Sequence, residues 1–262
     1  MDSDSSDAVY EDMNALLEIN PITKERLRTI AGTNTYANSV NVYVGRPRSG
    51  KTFQALHDII NVIRNDPTVH LLVYINESGE SDDDTFDRFQ QLISVPIVFV
   101  KYSDSEKYLK ELCEYKNIYN KIKTSSSERD VPKVVKEEIL DSLSIYDFSK
   151  PYLHTLIITE DATNSKQLKR ADSYINDLLT RCAHTQFSFF VIIHFWKALT
   201  TNIKANLSTI YIFGGYSRQQ LQYMLYQMNI PVTIKELTSE YSKLPQYGKL
   251  IIDCNQGTYK LC

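Results

Sequence analysis

Apolar residues in this chain gather into short runs of strand length that alternate with stretches of helical spacing. Val40, Val42, Tyr43 and Val44 form the first core strand. Phe53, Leu56, Ile59, Ile60 and Ile63 then line one face of a helix predicted over Lys51 to Arg64, which stops near Asn65, Asp66 and Pro67. Val69 to Ile75 (VHLLVYI) is a continuous run, as expected of a parallel strand covered on both faces. Further helices are predicted through Phe86 to Ile93, Ser105 to Ile122, near Val134 to Leu143, over Ala171 to Cys182 and over Ser217 to Met228. Strands are expected at Pro96 to Val100, Leu153 to Thr159, Phe187 to Ile193 and Thr209 to Phe213. Lys249 to Cys254 and Thr258 to Leu261 flank Asn255, Gln256 and Gly257 and read as a terminal hairpin. The alternation predicts an α/β fold with a largely parallel central sheet flanked by helices.

Outside that core, Ala8 to Ile19 has the spacing of an N-terminal helix, and Thr124 to Pro132 (TSSSERDVP) has the composition of a surface linker. The expected organisation is an N-terminal tail and helix over 1–38, a core over 39–230, and a C-terminal extension carrying the hairpin over 231–262. Hydrophobic residues at 42% and charged residues at 23% are ordinary for a soluble domain with one large core. No apolar run reaches the length of a membrane span, and the acidic N-terminus is unlike a secretion signal. A cytosolic or equivalent reducing compartment is expected, not secretion. Cys113, Cys182, Cys254 and Cys262 lie too far apart for a zinc motif. The net charge of −3 removes any argument from bulk charge for nucleic acid, so a DNA contact would need a local basic patch or assembly.

Between the first strand and the first helix lies GRPRSGKT: Gly45, Arg46, Pro47, Arg48, Ser49, Gly50, Lys51 and Thr52. This is the full GxxxxGK-Ser/Thr pattern in its strand-turn-helix context, and it makes the chain a nucleotide-binding protein. Small residues let successive backbone N–H groups turn inward on a phosphate at the positive end of the following helix. Lys51 would reach the β- and γ-phosphates of ATP, and the Thr52 hydroxyl would ligate Mg²⁺.

Hydrolysis also needs a carboxylate on the metal and a group that activates water. LIITED, Leu156 to Asp161, ends a predicted strand in two adjacent acids at the carboxyl edge of the sheet, where ligands sit in open α/β folds. By order, Glu160 is the Mg²⁺ residue and Asp161 the water-activating one, although Asp followed by Glu is the usual arrangement. Two acids capping the next segment is the plainer alternative. His194 ends the strand FSFFVII and is a candidate γ-phosphate sensor, or a strand-end histidine without catalytic work. Arg181 is either a surface cation at a helix end or an arginine finger reaching a neighbouring subunit. Arg46 and Arg48 could pair with phosphates or with a partner's acids. Lys166, Lys169 and Arg170 form the best local basic patch for DNA, with Lys197 and Lys204 as further candidates; a solvated helix entrance is the alternative.

Taken in order, these motifs resemble the DNA-packaging ATPases of large double-stranded DNA viruses, the poxvirus type, within the FtsK/HerA superfamily of P-loop NTPases. The similarity covers roughly Val40 to Met228 and includes Ile203, Lys204, Ala205 and Asn206, which resemble the family's IRxN with Lys in place of Arg. The family's sensor is usually Gln, where this chain has His194. Its Arg-His segment corresponds to Thr180, Arg181, Cys182, Ala183 and His184, with Arg181 offset from the expected place. The resemblance implies a RecA/FtsK-like core of the additional-strand class, the sensor strand lying between the phosphate-loop strand and the acidic-pair strand. It also implies ATP and Mg²⁺ as cofactors, a pentameric or hexameric ring threaded by double-stranded DNA, and capsid or portal components as partners. The expected location is the host cytoplasm, a viral factory or the virion. Other readings of the same loop are a P-loop kinase and a nucleotide-dependent assembly switch with little turnover.

Overall fold

In a computed structural model, residues 29–81, 84–124, 153–161, 163, 165–228 and 234–262 are described. The predicted helices near Ala8 to Ile19 and Val134 to Leu143, and the linker from Thr124 to Pro132, lie outside the described residues apart from Thr124 itself. Eight strands form one sheet among the described residues: β1 Val40–Val44, β2 Val69–Asn76, β3 Ile97–Lys101, β4 His154–Thr159, β5 Phe187–Ile193, β6 Thr209–Phe213, β7 Lys249–Asp253 and β8 Thr258–Leu261. Their spatial order is β3-β2-β4-β5-β1-β6-β7-β8. All pairs from β3 across to β6 are parallel, whereas β7 is antiparallel to β6 and to β8. β5 therefore lies between β1 and β4, the order that the resemblance implied, and the predicted hairpin extends the sheet directly.

The helices are α1 Lys51–Asn65, α2 Asp84–Gln90, α3 Tyr102–Thr124, α4 Lys166–Lys169, α5 Tyr174–Thr180, α6 Cys182–Thr185, α7 Thr201–Ala205, α8 Arg218–Gln227 and α9 Ile234–Tyr241. Side chains alternate across the sheet because the strand period is two. Val40, Val42 and Val44 enter one apolar layer with Phe189, Val191 and Ile210, while Tyr43 enters the other with Leu56, Ile59, Phe190 and Tyr211. Three layers result, the fully buried central strands being covered on both faces. Tyr43 stacks on Tyr211 with centroids 4.5 Å apart, and its hydroxyl donates to Asp58 Oδ2 at 2.8 Å. Part of the tyrosine load is thus core, each buried hydroxyl calling for a polar partner.

One expected helix is corrected. Ala171 to Cys182 is not continuous: residues 170–173 form a turn, and α5 starts only after Ser173, whose hydroxyl caps it by accepting from the Asn176 N–H. Asn176 Nδ2 donates to the carbonyls of Gln167, Leu168 and Arg170 and so holds that turn in place of helix. α9 has no counterpart in the apolar spacing reading.

Candidate active site

β1 ends in the phosphate loop, β4 in the acidic pair and β5 in His194, and these three strands are neighbours at the centre of the sheet. Their ladders hold the ends in register: Thr159 pairs with Val191, and Val44 with Ile193. Loop, acids and histidine consequently converge at one carboxyl edge.

The loop's shape follows from its small residues. A Cβ added to Gly45 would meet Ser49 Oγ at 2.6 Å and Phe213 Cβ at 2.8 Å, so no larger residue fits there without displacement. Gly50 takes φ 93°, a left-handed conformation natural to glycine, and begins α1 with no side-chain cap. The first N–H groups of a 15-residue helix are left facing the loop without that partner. Arg48 also has positive φ, at 61°. Ser49 Oγ is buried and has no hydrogen-bond partner among the described residues. A cradle with an orphan hydroxyl and uncapped amides is complementary to a phosphate.

Lys51 is buried beneath the loop, its Nζ donating to Arg46 O at 2.9 Å and lying 3.2 Å from His194 Nδ1. Burial lowers its pKa to about 8, against the opposing pull of Asp161 and Glu160. Thr52 Oγ1 donates to Glu160 Oε1 at 3.1 Å. Burial raises the Glu160 carboxyl above its ordinary value and Asp161 adds to the rise, while the Thr52 bond and Lys51 oppose it. Asp161, with φ 44°, points elsewhere, its Oδ1 lying 3.3 Å from His194 Nε2. The adjacent acids are therefore separated by function of place, Glu160 toward the loop hydroxyl and Asp161 toward the histidine.

His194 is fixed through its backbone. Its N–H donates to Thr163 Oγ1 at 2.7 Å and its carbonyl accepts from the Tyr216 hydroxyl at 2.6 Å. Its Nδ1 also lies 3.2 Å from Gly45 O. Tyr102 donates to the Glu160 carbonyl at 2.9 Å. None of Thr163, Tyr216 or Tyr102 stands out in the sequence, because what recruits them is backbone that must be held, and no motif records that.

Beside Gly50, a cavity of about 450 Å³ is lined by Phe53, Gln54, Phe213, Tyr247 and Lys249. Phe53 and Tyr247 are 56% and 59% exposed, and Tyr247 is held at φ 66°. A second cavity of about 310 Å³ takes in Arg46, Pro47, Arg48 and Ser49 and shares Tyr247. Sequence reasoning missed Tyr247, which reaches the loop from far along the chain.

The structure does not bring Arg181 to this site. It follows α5 at the amino edge, where neighbouring Cys182 donates to the carbonyl of Asn38 just before β1, and its guanidinium pairs with Asp177. Lys166, Lys169 and Arg170 are exposed on and after α4, Arg170 pairing with Asp172 at 2.9 Å. Among the described residues, no group of three or more His, Cys, Asp or Glu side chains is placed to hold a metal ion. Mg²⁺ does not require one, since it uses one or two protein oxygens alongside phosphate and water. The oxygen pair of Thr52 and Glu160 fits that demand. No described helix is long and apolar enough to cross a membrane.

No protein-family model matches the chain, and no curated protein matches it by sequence. Solved structures do match its fold. The DNA-packaging ATPase B204 of Sulfolobus turreted icosahedral virus superposes with a TM-score of 0.54 at 16% identity, covering 86% of this chain and 97% of that one. The genome-packaging NTPase B204 of Sulfolobus turreted icosahedral virus 2 matches in its AMP complex with a TM-score of 0.53 at 18% identity, over 85% of this chain and 96% of that one. In its ATP-γS complex the values are 0.52 and 17%, over 85% and 95%. The fold is that of a P-loop NTPase with RecA/FtsK-like architecture: a mixed central sheet, parallel in its core, flanked by helices.

Proposed function

We propose that this protein is an ATP-driven double-stranded DNA translocase of the FtsK/HerA type that packages a viral genome into a capsid. The observation that carries the reading is the convergence of Lys51, Thr52, Glu160, Asp161 and His194 on one sheet edge, in a fold shared with viral packaging ATPases. The poxvirus-type assignment, the ring of identical subunits, the capsid or portal partners and a site of action in the host cytoplasm, viral factory or virion belong to the same proposal.

In this mechanism the loop amides and Lys51 bind the phosphates, and Tyr247 and Phe53 flank a cavity of the right size and character for the base. Thr52 and Glu160 would hold Mg²⁺, which would supply positive charge against the phosphates. Asp161 accepts a proton from the attacking water. The new bond forms from that water oxygen to the γ-phosphorus as the bond to the leaving ADP oxygen breaks, giving ADP and phosphate. His194, between Lys51 and Asp161, senses the γ-phosphate. Lys166, Lys169 and Arg170 supply a weak contact to DNA, which a ring would multiply. Arg181 serves as a finger only in trans, released from Asp177.

The test is ATP hydrolysis by the purified chain with and without duplex DNA, beside Lys51→Ala. Stimulation by DNA is expected, with turnover lost by about 10²- to 10³-fold in the variant. Hydrolysis indifferent to DNA would sink the translocase. Nucleotide-dependent assembly with little turnover would favour the switch, and dependence on a phosphoryl acceptor the kinase.

A further inference from the structure

Beyond the ends of β4, β5 and β6, a cavity of about 480 Å³ opens at the carboxyl edge, lined in part by Phe195, which follows His194 directly. Its wall is aromatic, with Phe195 63% exposed and Tyr223 beside it, and the charged residues lining it are Lys169 and Lys197. Among the described residues, no carboxylate lines it. Thr163 and Tyr216 also line it, the two side chains that bind the His194 backbone from either side.

We propose that this pocket engages a nucleic-acid strand, Phe195 stacking on or wedging beside a base while Lys169 and Lys197 take the flanking phosphates. The inference rests on the DNA-motor reading and gives it a place of contact. Charge complementarity selects the occupant: two cations on flexible stems around an exposed aromatic ring suit a polyanion carrying flat apolar faces. The location adds a consequence. An occupant pressing on Phe195, Thr163 or Tyr216 acts on the groups that position His194, whose ring faces Lys51 and Asp161. DNA engagement and the state of the γ-phosphate are thereby read by one residue.

The experiment uses the full chain and its variants Phe195→Ala and Lys197→Glu. Fluorescence anisotropy measures binding to a labelled blunt duplex and to a single strand of the same sequence. A fluorescent ATP analogue and size exclusion report nucleotide affinity and assembly. Either variant is expected to bind DNA at least about fivefold more weakly, to lose DNA stimulation relative to its own basal rate, and to retain affinity for the analogue. Lys197→Glu should also reduce the salt dependence of binding by about one released counterion. A loss on duplex identifies a wedge, and a loss confined to single strand identifies a stacking platform; both support the pocket. Variants that bind DNA like the wild type, with the wild type still stimulated, overturn the pocket and leave the motor reading standing. A wild type that hydrolyses ATP but binds neither DNA overturns both. Variants that only fall to smaller assemblies with DNA affinity per subunit intact would assign the pocket to a neighbouring subunit and overturn the proposal.

Discussion

Two histidines stand at opposite edges of the same sheet, each beside an aspartate, and they differ in what surrounds them. At the amino edge, His154 Nδ1 meets Asp66 Oδ2 at 3.0 Å and its Nε2 meets Ser188 Oγ at 2.8 Å. That is a serine, histidine and aspartate in hydrogen-bonding series, the arrangement of a hydrolytic triad. All three are buried, Ser188 Oγ also accepts from the Ser39 N–H, and the Asp66 carboxylate binds Thr68 as well. Nearby, the buried amino group of Lys116 donates to Gln186 O and Thr155 Oγ1. The carboxyl edge is built the other way: His194 is partly open, Ser49 Oγ lacks a partner among the described residues, and α1 begins without a cap. Triad geometry alone would nominate His154, whereas open, unsatisfied groups gather around His194. What separates scaffold from site is demand left unmet by the fold itself.

The largest effect expected from this contrast is on stability. Burial alone would push the Asp66 carboxyl up, but His154 and Thr68 hold it well below the usual carboxylate range. Asp66→Ala should therefore cost about 3–5 kcal/mol, read as a shift in the urea midpoint, because it strands a buried partner. The depressed carboxyl stabilises the fold fully above about pH 4, and that contribution fades as pH falls further; the variant should lack this acid dependence. A variant as stable as the wild type would remove the scaffold role.

A smaller effect is expected at the open histidine. His194→Ala should slow single-turnover hydrolysis by about 10²-fold, the low end for losing one positioned donor, with the urea midpoint unchanged. His194→Gln should recover most of the rate, since an amide can meet both Lys51 and Asp161. Equal rates in all three proteins would show that the ring only fills space.

The smallest is a pH dependence of nucleotide affinity. Free Lys51 titrates near 8, below its ordinary 10.5, because burial disfavours the cation. Bound phosphate would favour the cation, so binding above pH 8 takes up a proton and affinity falls as pH rises, by about tenfold per unit. Calorimetry in buffers of different ionisation enthalpy reads that proton directly. Affinity flat from pH 7 to 9.5 would mean that Lys51 stays charged when free.

The strands and the phosphate loop were legible because each depends on nearby residues: β-branched runs, a glycine where Ser49 and Phe213 press close, a helix that follows at once. The sheet order was legible only through family resemblance, since register between β1, β5 and β4 joins segments far apart in sequence. Ser173 and Asn176 broke a helix that apolar spacing made continuous, because their polar bonds to neighbouring carbonyls leave no periodic trace. Tyr247 and Tyr216 were invisible for a similar reason. Their roles are set by where the return of the chain places them, and a lone tyrosine among 18 carries no signal.

The grip on His194 limits what that residue can transmit. With its amide hydrogen on Thr163 and its carbonyl under Tyr216, the main chain there has little room to slide. Two freedoms remain: turning of the imidazole about its own bonds, and the choice of which nitrogen carries hydrogen. Nδ1 accepts from Lys51 only when bare and donates to Gly45 O only when protonated. A message crossing this position therefore travels as an angle or a tautomer, with almost no displacement.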